Sequence, residues 1–142
     1  MKNKGFTLIE LLVVIAILGL LATIILFSVD DVRSKSRDSR RVVDIKVIQE
    51  GLSMYCNDYS SYPYSGGNSI EINGSSDLMS QELINSGNMS GVPIDPLNME
   101  IDGVIYKYYY ESISDETDYR LIFYLETNSI LNKLKGINIV YP

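Results

Sequence analysis

An acidic residue within an apolar segment is the first feature of this sequence that could support chemistry. Glu10 is the only charged residue in the apolar run of residues 6–29. A carboxylate deep in a bilayer costs on the order of 2.5–3.5 kcal/mol. Either Glu10 lies near a membrane edge, where it snorkels or is protonated, or it meets a buried positive partner in an assembly.

The residues just before this run could supply that partner. Lys4-Gly5-Phe6 precedes the apolar segment. Gly5 is either a flexible start to a helix or a position where a protease reaches extended backbone, because glycine has no side chain to obstruct it. Cleavage after Gly5 would free an amine on Phe6, which is largely charged at neutral pH. That amine could attract Glu10 of its own helix or, between staggered neighbours, pair with Glu10 of another chain and set the register.

Several kinds of site are excluded by composition. The 142 residues include no His and a single Cys, Cys56, which we interpret as a small packed thiol. These counts exclude histidine-based catalysis, a Cys/His zinc site and an intrachain disulfide. The densest acidic cluster is Asp115, Glu116 and Asp118, and we interpret it as a bare hairpin tip because calcium takes about six to eight oxygen ligands. We therefore expect no enzyme, no metal and no cofactor.

Charge is distributed unevenly along the chain. Residues 1–50 carry eight basic and six acidic side chains, whereas residues 51–142 carry four basic and twelve acidic ones. Phosphate binding needs a basic face, so the acidic distal part is a poor partner for nucleic acid. It is typical of a soluble surface outside a membrane.

The apolar run is long enough to cross a membrane. As a helix, residues 6–29 would extend about 36 Å at about 1.5 Å per residue, against a hydrocarbon core of about 30 Å. The run is too long for the apolar region of a secretory signal peptide, so we predict a helix that stays attached. More Lys and Arg residues follow the run than precede it, and counting them alone would favour an outside N-terminus.

The segment Lys4-Gly5-Phe6-Thr7-Leu8-Ile9-Glu10 and the apolar residues after it resemble the N-terminal signature of type IV pilins and type II secretion pseudopilins. The resemblance implies a prepilin peptidase that cuts between Gly5 and Phe6, N-methylation of Phe6, and Glu10 as the filament-assembly residue. Residues 1–5 would then be a leader peptide. It also implies a cytoplasmic N-terminus, against the charge count, in a single-pass inner-membrane protein with an extracytoplasmic head.

A second, amphipathic half of the helix follows over residues 30–58. Apolar residues recur there at helical spacing and predict one buried stripe: Val42, Ile45, Ile48, Leu52, Tyr55 and Tyr59. Residues 30–41 are polar nearly all round, so we expect a solvated neck. The alternative is that arginines of this neck meet acidic residues of neighbouring subunits in a filament: Arg33, Arg37, Arg40 and Arg41 with Asp30, Asp31 or Asp38.

Residues 59–142 predict a globular head with a variable loop and an antiparallel sheet. Tyr62-Pro63 should end the long helix, and Ser76 should cap a short helix over residues 77–85 that stops at Gly87. Strands are predicted over residues 104–112 and 119–127, with a third through Ile137, Ile139 and Tyr141. The period of two places four residues inward (Tyr119, Leu121, Phe123 and Leu125) and three mostly outward (Arg120, Tyr124 and Glu126).

The head is similar in layout to that of the major pseudopilins, through Tyr62-Pro63, Pro93-x-Asp95-Pro96 and Tyr119-Arg120-Leu121. Many type IV pilins close a C-terminal loop with two cysteines, which a chain with one Cys cannot do. The chain departs from the family at Phe27, where a Pro is frequent, and in residues 128–136, where acidic residues commonly bind calcium. The fold expected is α+β, the pilin fold, in which a long N-terminal helix packs against a small antiparallel sheet.

The resemblance implies a structural subunit of a type IV pilus-like or type II secretion pseudopilus filament. Its implied partners are other copies of itself, minor pseudopilins, the prepilin peptidase, an inner-membrane assembly platform and ATPase machinery. The alternative is a membrane-anchored extracytoplasmic binding module that never polymerises. That alternative predicts an intact Gly5–Phe6 bond and indifference to Glu10.

Overall fold

The computed structural model describes residues 5–142, except for the side chains of residues 24–28. The elements in chain order are α1 (Leu8–Tyr59), β1 (Ile70–Glu71), α2 (Leu78–Asn85), β2 (Met99–Ile101), β3 (Val104–Tyr106), β4 (Tyr109–Ile113), β5 (Asp118–Leu125) and β6 (Gly136–Val140). The chain divides into two compact units, Met1–Ser34 and Lys35–Pro142. A long N-terminal helix with an antiparallel sheet confirms the α+β fold class.

The described part of the first unit is the beginning of α1 and the residues just before it. Every side chain from residue 5 to residue 23 is exposed, and most of them are large and apolar. Within the described residues, no helix is both long and apolar enough to cross a membrane. The predicted membrane run 6–29 includes the side chains of residues 24–28, and the predicted leader includes residues 1–4, all outside the described set. Both assignments stay predictions.

The second unit buries the helical stripe that the sequence predicts. Ile45, Ile48, Leu52 and Tyr55 are all buried in the core. The prediction is wrong at its last position, because Tyr59 is exposed and stacks on Tyr55 with ring centroids 4.4 Å apart. α1 has reached the margin of the core there, and it ends at Tyr59, a few residues before Tyr62-Pro63.

One glycine in this part of α1 has a packing role. A Cβ on Gly51 would lie 2.4 Å from the Sδ of Met89, which is closer than real Cβ atoms approach a neighbour. Met89 packs against the buried core from the loop after α2. The missing side chain at Gly51 therefore leaves the space against the helix that the Met89 side chain fills.

The main sheet is antiparallel with strand order β1-β4-β5-β6. Its register places Tyr110 opposite Leu121, and Leu121 opposite Val140 on the other side. The alternation predicted along β5 is confirmed, since the four predicted inward side chains are buried: Tyr119, Leu121, Phe123 and Leu125. The third strand is also present as β6, but Ile137 and Ile139 face outward and are exposed.

The predicted strand over residues 104–112 is wrong as a single element. Its first part, β3, pairs with β2 in a separate two-stranded sheet, and its second part, β4, belongs to the main sheet. The β2–β3 turn places Asp102 and Gly103 at φ 51° and 77°. Positive φ at both central residues of a two-residue turn is typical of tight hairpins. Tyr106 is thereby separated from the main-sheet face that buries Tyr108 and Tyr110.

The short helix α2 is present, but its cap differs by one residue from the prediction. Asp77, not Ser76, is the N-cap, and its Oδ1 accepts a hydrogen bond from the Ser80 amide at 2.8 Å. Both residue types favour this position, and aspartate adds a charge at the positive end of the helix. The predicted stop at Gly87 is confirmed, with φ 78° and an amide that donates to the Ile84 carbonyl.

Candidate functional site

The start of α1 holds Glu10 in a reciprocal pair of contacts with Thr7. The Thr7 amide and hydroxyl donate to Oε2 of Glu10 at 2.8 and 2.7 Å. The Glu10 amide in turn donates to the Thr7 hydroxyl oxygen at 3.3 Å. This is a capping box, in which residues three positions apart satisfy amides that the first helical turn leaves without carbonyl partners. Here Glu10 serves its own helix.

The predicted cleavage residues lie just outside this cap. Gly5 and Phe6 precede the first residue of α1, are not part of any regular element and are exposed. A Cβ on Gly5 would meet no atom of the described residues within 4 Å, so packing among them does not explain the glycine. The bond between Gly5 and Phe6 is therefore in non-helical, accessible backbone, the form of chain that a peptidase needs.

The structure brings Glu10 to Thr7, a residue that the sequence analysis did not single out. The signal was present as Thr7-x-x-Glu10, the spacing of a capping box directly before an apolar run. Glu10 is also the one carboxylate in an exposed apolar surface that includes Leu8, Leu12 and Ile15. Monomeric soluble proteins rarely expose such a surface over this length, so it marks an interaction with other apolar groups.

A second charged cluster, here called the arginine cluster, lies in the unit Lys35–Pro142 and is centred on Arg41. The Arg41 side chain is fully buried and binds Asp95 with two hydrogen bonds, Nε to Oδ2 at 2.7 Å and Nη2 to Oδ1 at 3.1 Å. Its Nη1 also donates to Asp38 at 2.9 Å and to Glu126 at 2.6 Å. Three carboxylates thus surround one guanidinium.

The carboxylates of Glu126 and Asp38 accept further hydrogen bonds in this cluster. Arg37 donates from Nε and Nη2 to the two oxygens of Glu126 at 2.7 and 2.5 Å. Asp38 accepts from the amides of Glu126 and Thr127 at 2.9 and 2.8 Å. Such full hydrogen bonding is what makes the burial of charged groups tolerable.

Two predictions about these residues were wrong. The neck was expected to be solvated as far as residue 41, yet Asp38 and Arg41 are buried, and Glu126 was expected to face mostly outward, yet it lies between Arg37 and Arg41. Local polarity predicted exposure because the partners lie far away in the sequence. Asp95, which anchors Arg41, was part of the Pro93-x-Asp95-Pro96 pattern but had no role assigned to it.

The electrostatics of the arginine cluster favour its charged form. Burial by itself would raise the pKa of Glu126, but the hydrogen bonds from Arg37 and Arg41 outweigh it and lower the pKa to about 2. Burial opposes the charge on Arg41 as well, yet the bonds to Asp95 and Glu126 raise the pKa of its guanidinium above the ordinary value. The cluster joins α1 to the Pro93–Pro96 segment and to the end of β5.

The acidic hairpin tip has a backbone conformation of its own. Ser114, Asp115 and Glu116 all have positive φ, between 52° and 65°, in the turn from β4 to β5. Among the residues that the structure describes, no group of three or more His, Cys, Asp or Glu side chains is placed to hold a metal ion. Cys56 is a free thiol of intermediate exposure.

Comparison with known proteins bears on the N-terminal segment that contains Gly5, Phe6 and Glu10. Residues 1–26 match the family model described as the prokaryotic N-terminal methylation motif. The N-terminal part of this chain therefore resembles proteins that carry this motif. Curated relatives named type II secretion system core protein G support the same conclusion. The protein from Vibrio cholerae is 39% identical over 62 residues, and those from Escherichia coli and Pseudomonas aeruginosa are 37% and 42% identical over 62 and 65 residues.

These matches concern less than half of each protein. The aligned region is 44% of this chain and 42%, 43% and 44% of the Vibrio, Escherichia and Pseudomonas proteins. No solved structure matches the chain. The resemblance to pilin-like proteins of type II secretion is therefore confirmed, and it rests on the N-terminal half.

Proposed function

We propose that this protein is a structural subunit of a type IV pilus-like or type II secretion pseudopilus filament, polymerised through its N-terminal helix. The observation that carries the proposal is the N-terminal methylation motif over residues 1–26, with Gly5–Phe6 outside the helix and Glu10 in the first helical turn. The subunit performs no chemistry of its own, because its role is to pack against copies of itself.

The exposed apolar surface of residues 6–21 supports a subunit whose helix is covered first by lipid and later by neighbouring helices. Before assembly, the predicted run 6–29 crosses the inner membrane once, with the N-terminus in the cytoplasm and the head outside. In the filament, neighbouring helices replace the lipid. Each subunit then uses one heterologous contact that does not close on itself and so propagates.

Processing changes the charge at the helix start. The prepilin peptidase hydrolyses the Gly5–Phe6 bond, so that the hydroxyl of water joins the Gly5 carbonyl carbon and the Phe6 nitrogen gains a proton as a new amine. A methyl group is then transferred to this nitrogen from a sulfonium methyl donor, which leaves as the thioether while the nitrogen loses a proton. A charged Phe6 amine competes with Thr7 for Glu10, whose carboxylate is exposed and so within reach of a neighbour. Pairing with the next subunit's amine fixes the axial register of the filament.

The proposal implies a specific set of partners. The prepilin peptidase and an N-methylating activity act on Gly5 and Phe6. An inner-membrane assembly platform with its ATPase extracts the helix from the bilayer, and minor pseudopilins start the filament.

Mass spectrometry of the natural polypeptide tests the processing step. We expect a mature N-terminus at Phe6 that carries a methyl group, and no polypeptide that begins at Met1. A protein that keeps residues 1–5 would contradict the proposal and favour a membrane-anchored binding module that never polymerises. A Gly5→Val variant is the control, since it should block cleavage while leaving α1 in place.

Glu10 variants separate its charge from its capping role. Glu10→Gln keeps a side-chain oxygen that caps the helix, whereas Glu10→Ala removes both oxygen and charge. If pairing with an amine is the function, both variants insert and are processed, and both lower the yield of sheared filaments on the order of tenfold or more. Normal assembly of Glu10→Gln would show that only the cap matters and would remove the role proposed for the charge.

A further inference from the structure

The loop between β5 and β6 differs in charge from the rest of the head. Residues 127–142 contain no acidic side chain and two lysines, whereas residues 51–126 carry all twelve acids of the distal part. Two aliphatic side chains project from this loop, with Leu131 86% and Leu134 75% exposed. Lys135 is exposed beside them. We call residues 128–135 the basic loop.

Hydrogen bonds hold the base of the basic loop near the start of the unit Lys35–Pro142. At its root, the amide and hydroxyl of Thr127 donate to Asp38 at 2.8 and 2.7 Å. The Lys135 amide donates to Asn128 Oδ1 at 2.7 Å and closes the loop. The Lys133 ammonium lies 5.1 Å from the centre of the Phe123 ring. These contacts hold the base of the loop while its leucines stay exposed.

A complementary surface lies on α1, on the side away from the sheet. Val43, Val47, Glu50 and Met54 follow each other at spacings of four, three and four residues, so they share one face, and all four are exposed. We call these four residues the outward helix face. A groove of about 790 Å³ adjoins it, lined in part by Glu50, Met54, Asp58 and Asn88. Two carboxylates and one ammonium, that of Lys46, line this groove.

We propose that the basic loop of one subunit docks in the groove beside the outward helix face of a second copy of this chain. The proposal rests on the filament function proposed above and adds the contact between heads. Leu131 and Leu134 would cover Val47 and Met54, and Lys135 would pair with Glu50. The two surfaces match in both respects that stabilise an interface, since apolar side chains meet apolar side chains and a cation meets an acidic groove.

The placement of the two surfaces fits a contact that repeats. The loop root binds at Asp38 and the groove is centred near Glu50, which is about 18 Å further along α1 at about 1.5 Å per residue. A copy that docks its loop there is therefore displaced along the helix axis. Both surfaces remain available at the two ends of such a pair, so the contact continues instead of closing.

Cysteine cross-linking in assembled filaments tests the contact directly. In a Cys56→Ser background, Leu134→Cys is combined with Met54→Cys in one chain, and sheared filaments are oxidised and separated without reductant. We expect a ladder of dimers, trimers and longer species. The control pairs Met54→Cys with Ile139→Cys, which is exposed on the sheet, and it should stay monomeric.

The outcomes separate this contact from the filament function. Abundant filaments without a ladder would overturn the docking and leave the proposed function intact. A ladder that stops at dimers would show a closed pair and overturn the repeating contact. A wild-type protein that forms no filament would overturn the proposed function and the docking with it.

A charge exchange gives a second, independent measurement. Lys135→Glu should lower filament yield on the order of tenfold, as expected for loss of a central interface contact. Adding Glu50→Lys to the same chain should restore most of the yield, because every subunit carries both surfaces. Leu134→Ser should also lower the yield, whereas Leu78→Ser, at a half-exposed position on α2, should not. Failure of the exchange to restore assembly would contradict a Lys135–Glu50 pair.

Discussion

The beginning of α1 and its later part at residues 35–59 use charged side chains in opposite ways. At the beginning, Glu10 is exposed and the hydrogen bonds described for it are with Thr7. The apolar side chains described around it are exposed as well. In the later part, Arg41 is fully buried and binds three carboxylates. The charges around Arg41 are paired within one chain, whereas Glu10 and the apolar side chains around it stay exposed and can be covered by another molecule.

The difference shows how one helix can serve two purposes. A buried guanidinium whose three nitrogens all donate to carboxylates holds the head in one arrangement and leaves little for a partner to gain. An exposed carboxylate in an apolar surface costs the single chain little, and it becomes valuable once water is removed and a cation arrives. Stability is therefore concentrated in the head, and in the function proposed above the exposed apolar surface at the start of α1 is what neighbouring helices would cover.

The largest effect should come from breaking the arginine cluster. Arg41→Met preserves most of the side-chain volume but leaves Asp38, Asp95 and part of Glu126 without their buried cation. We expect a loss of about 3–5 kcal/mol in the free energy of unfolding, because unpaired buried charges are strongly destabilising. Urea unfolding of the full chain in detergent, followed by the near-ultraviolet circular dichroism of its eleven tyrosines, measures it.

The matched control is an exposed arginine near the middle of α1, in the unit Met1–Ser34. Arg33→Met removes an exposed pair in which the guanidinium lies 3.6 Å from Asp30. Exposed pairs contribute little, so the unfolding free energy should change by less than about 0.5 kcal/mol. Equal effects of the two substitutions would mean that the arginine cluster does not stabilise the head as its burial indicates.

Lowering the pH should also destabilise the arginine cluster, with a smaller loss of stability than Arg41→Met. The folded pKa of Glu126 is lowered to about 2 from an ordinary value of 4.5. A carboxylate with a lowered folded pKa contributes stability that is complete above its unfolded pKa and is lost as the pH falls toward the folded pKa. We therefore expect the urea midpoint of the full chain in detergent to fall progressively between about pH 4.5 and pH 2.

The Glu126→Gln variant isolates this contribution from the other carboxylates. It removes the titrating charge but keeps a side chain of similar size. At neutral pH it should be less stable than the parent, and the difference should shrink as the pH approaches 2, where the parent also loses the charge. A constant difference across this range would show that Glu126 does not titrate as its contacts with Arg37 and Arg41 require.

Features that are set by residues close together in the sequence could be predicted, and features that depend on residues far apart in the sequence could not. The stripe Ile45, Ile48 and Leu52 and the alternation along β5 are set by local periods of about 3.6 and two residues, so both were predicted. Gly5, Phe6 and Glu10 could be singled out because they are near neighbours in the chain, and their roles in cleavage, methylation and assembly stay predictions. Thr7 was missed even so, although the capping-box spacing was readable.

The arginine cluster could not be predicted in this way. Arg41 meets Asp95 and Glu126, which lie 54 and 85 positions further along the chain, and only the packed head decides that these charges are buried. Strand β2 was missed for a different reason, since all three of its residues are exposed and show no alternation, although the Asp102-Gly103 turn that pairs it with β3 is a local signal. Tertiary partners, not local polarity, decided the burial of the arginine cluster.

The smallest effect should come from the cap at the start of α1, which can be removed through Thr7 while Glu10 is kept. Thr7→Val removes the hydroxyl that bonds Glu10 and accepts from its amide, and Thr7→Ser keeps it. Loss of an N-cap costs about 1 kcal/mol, so amide hydrogens of residues 8–11 should exchange roughly fivefold faster in Thr7→Val, with Thr7→Ser unchanged. The head should unfold at the parent's urea concentration in both variants, since its stability lies in the buried cluster. A shift in head unfolding with Thr7→Val would show that the cap and the head are coupled, contrary to the division drawn between the two regions.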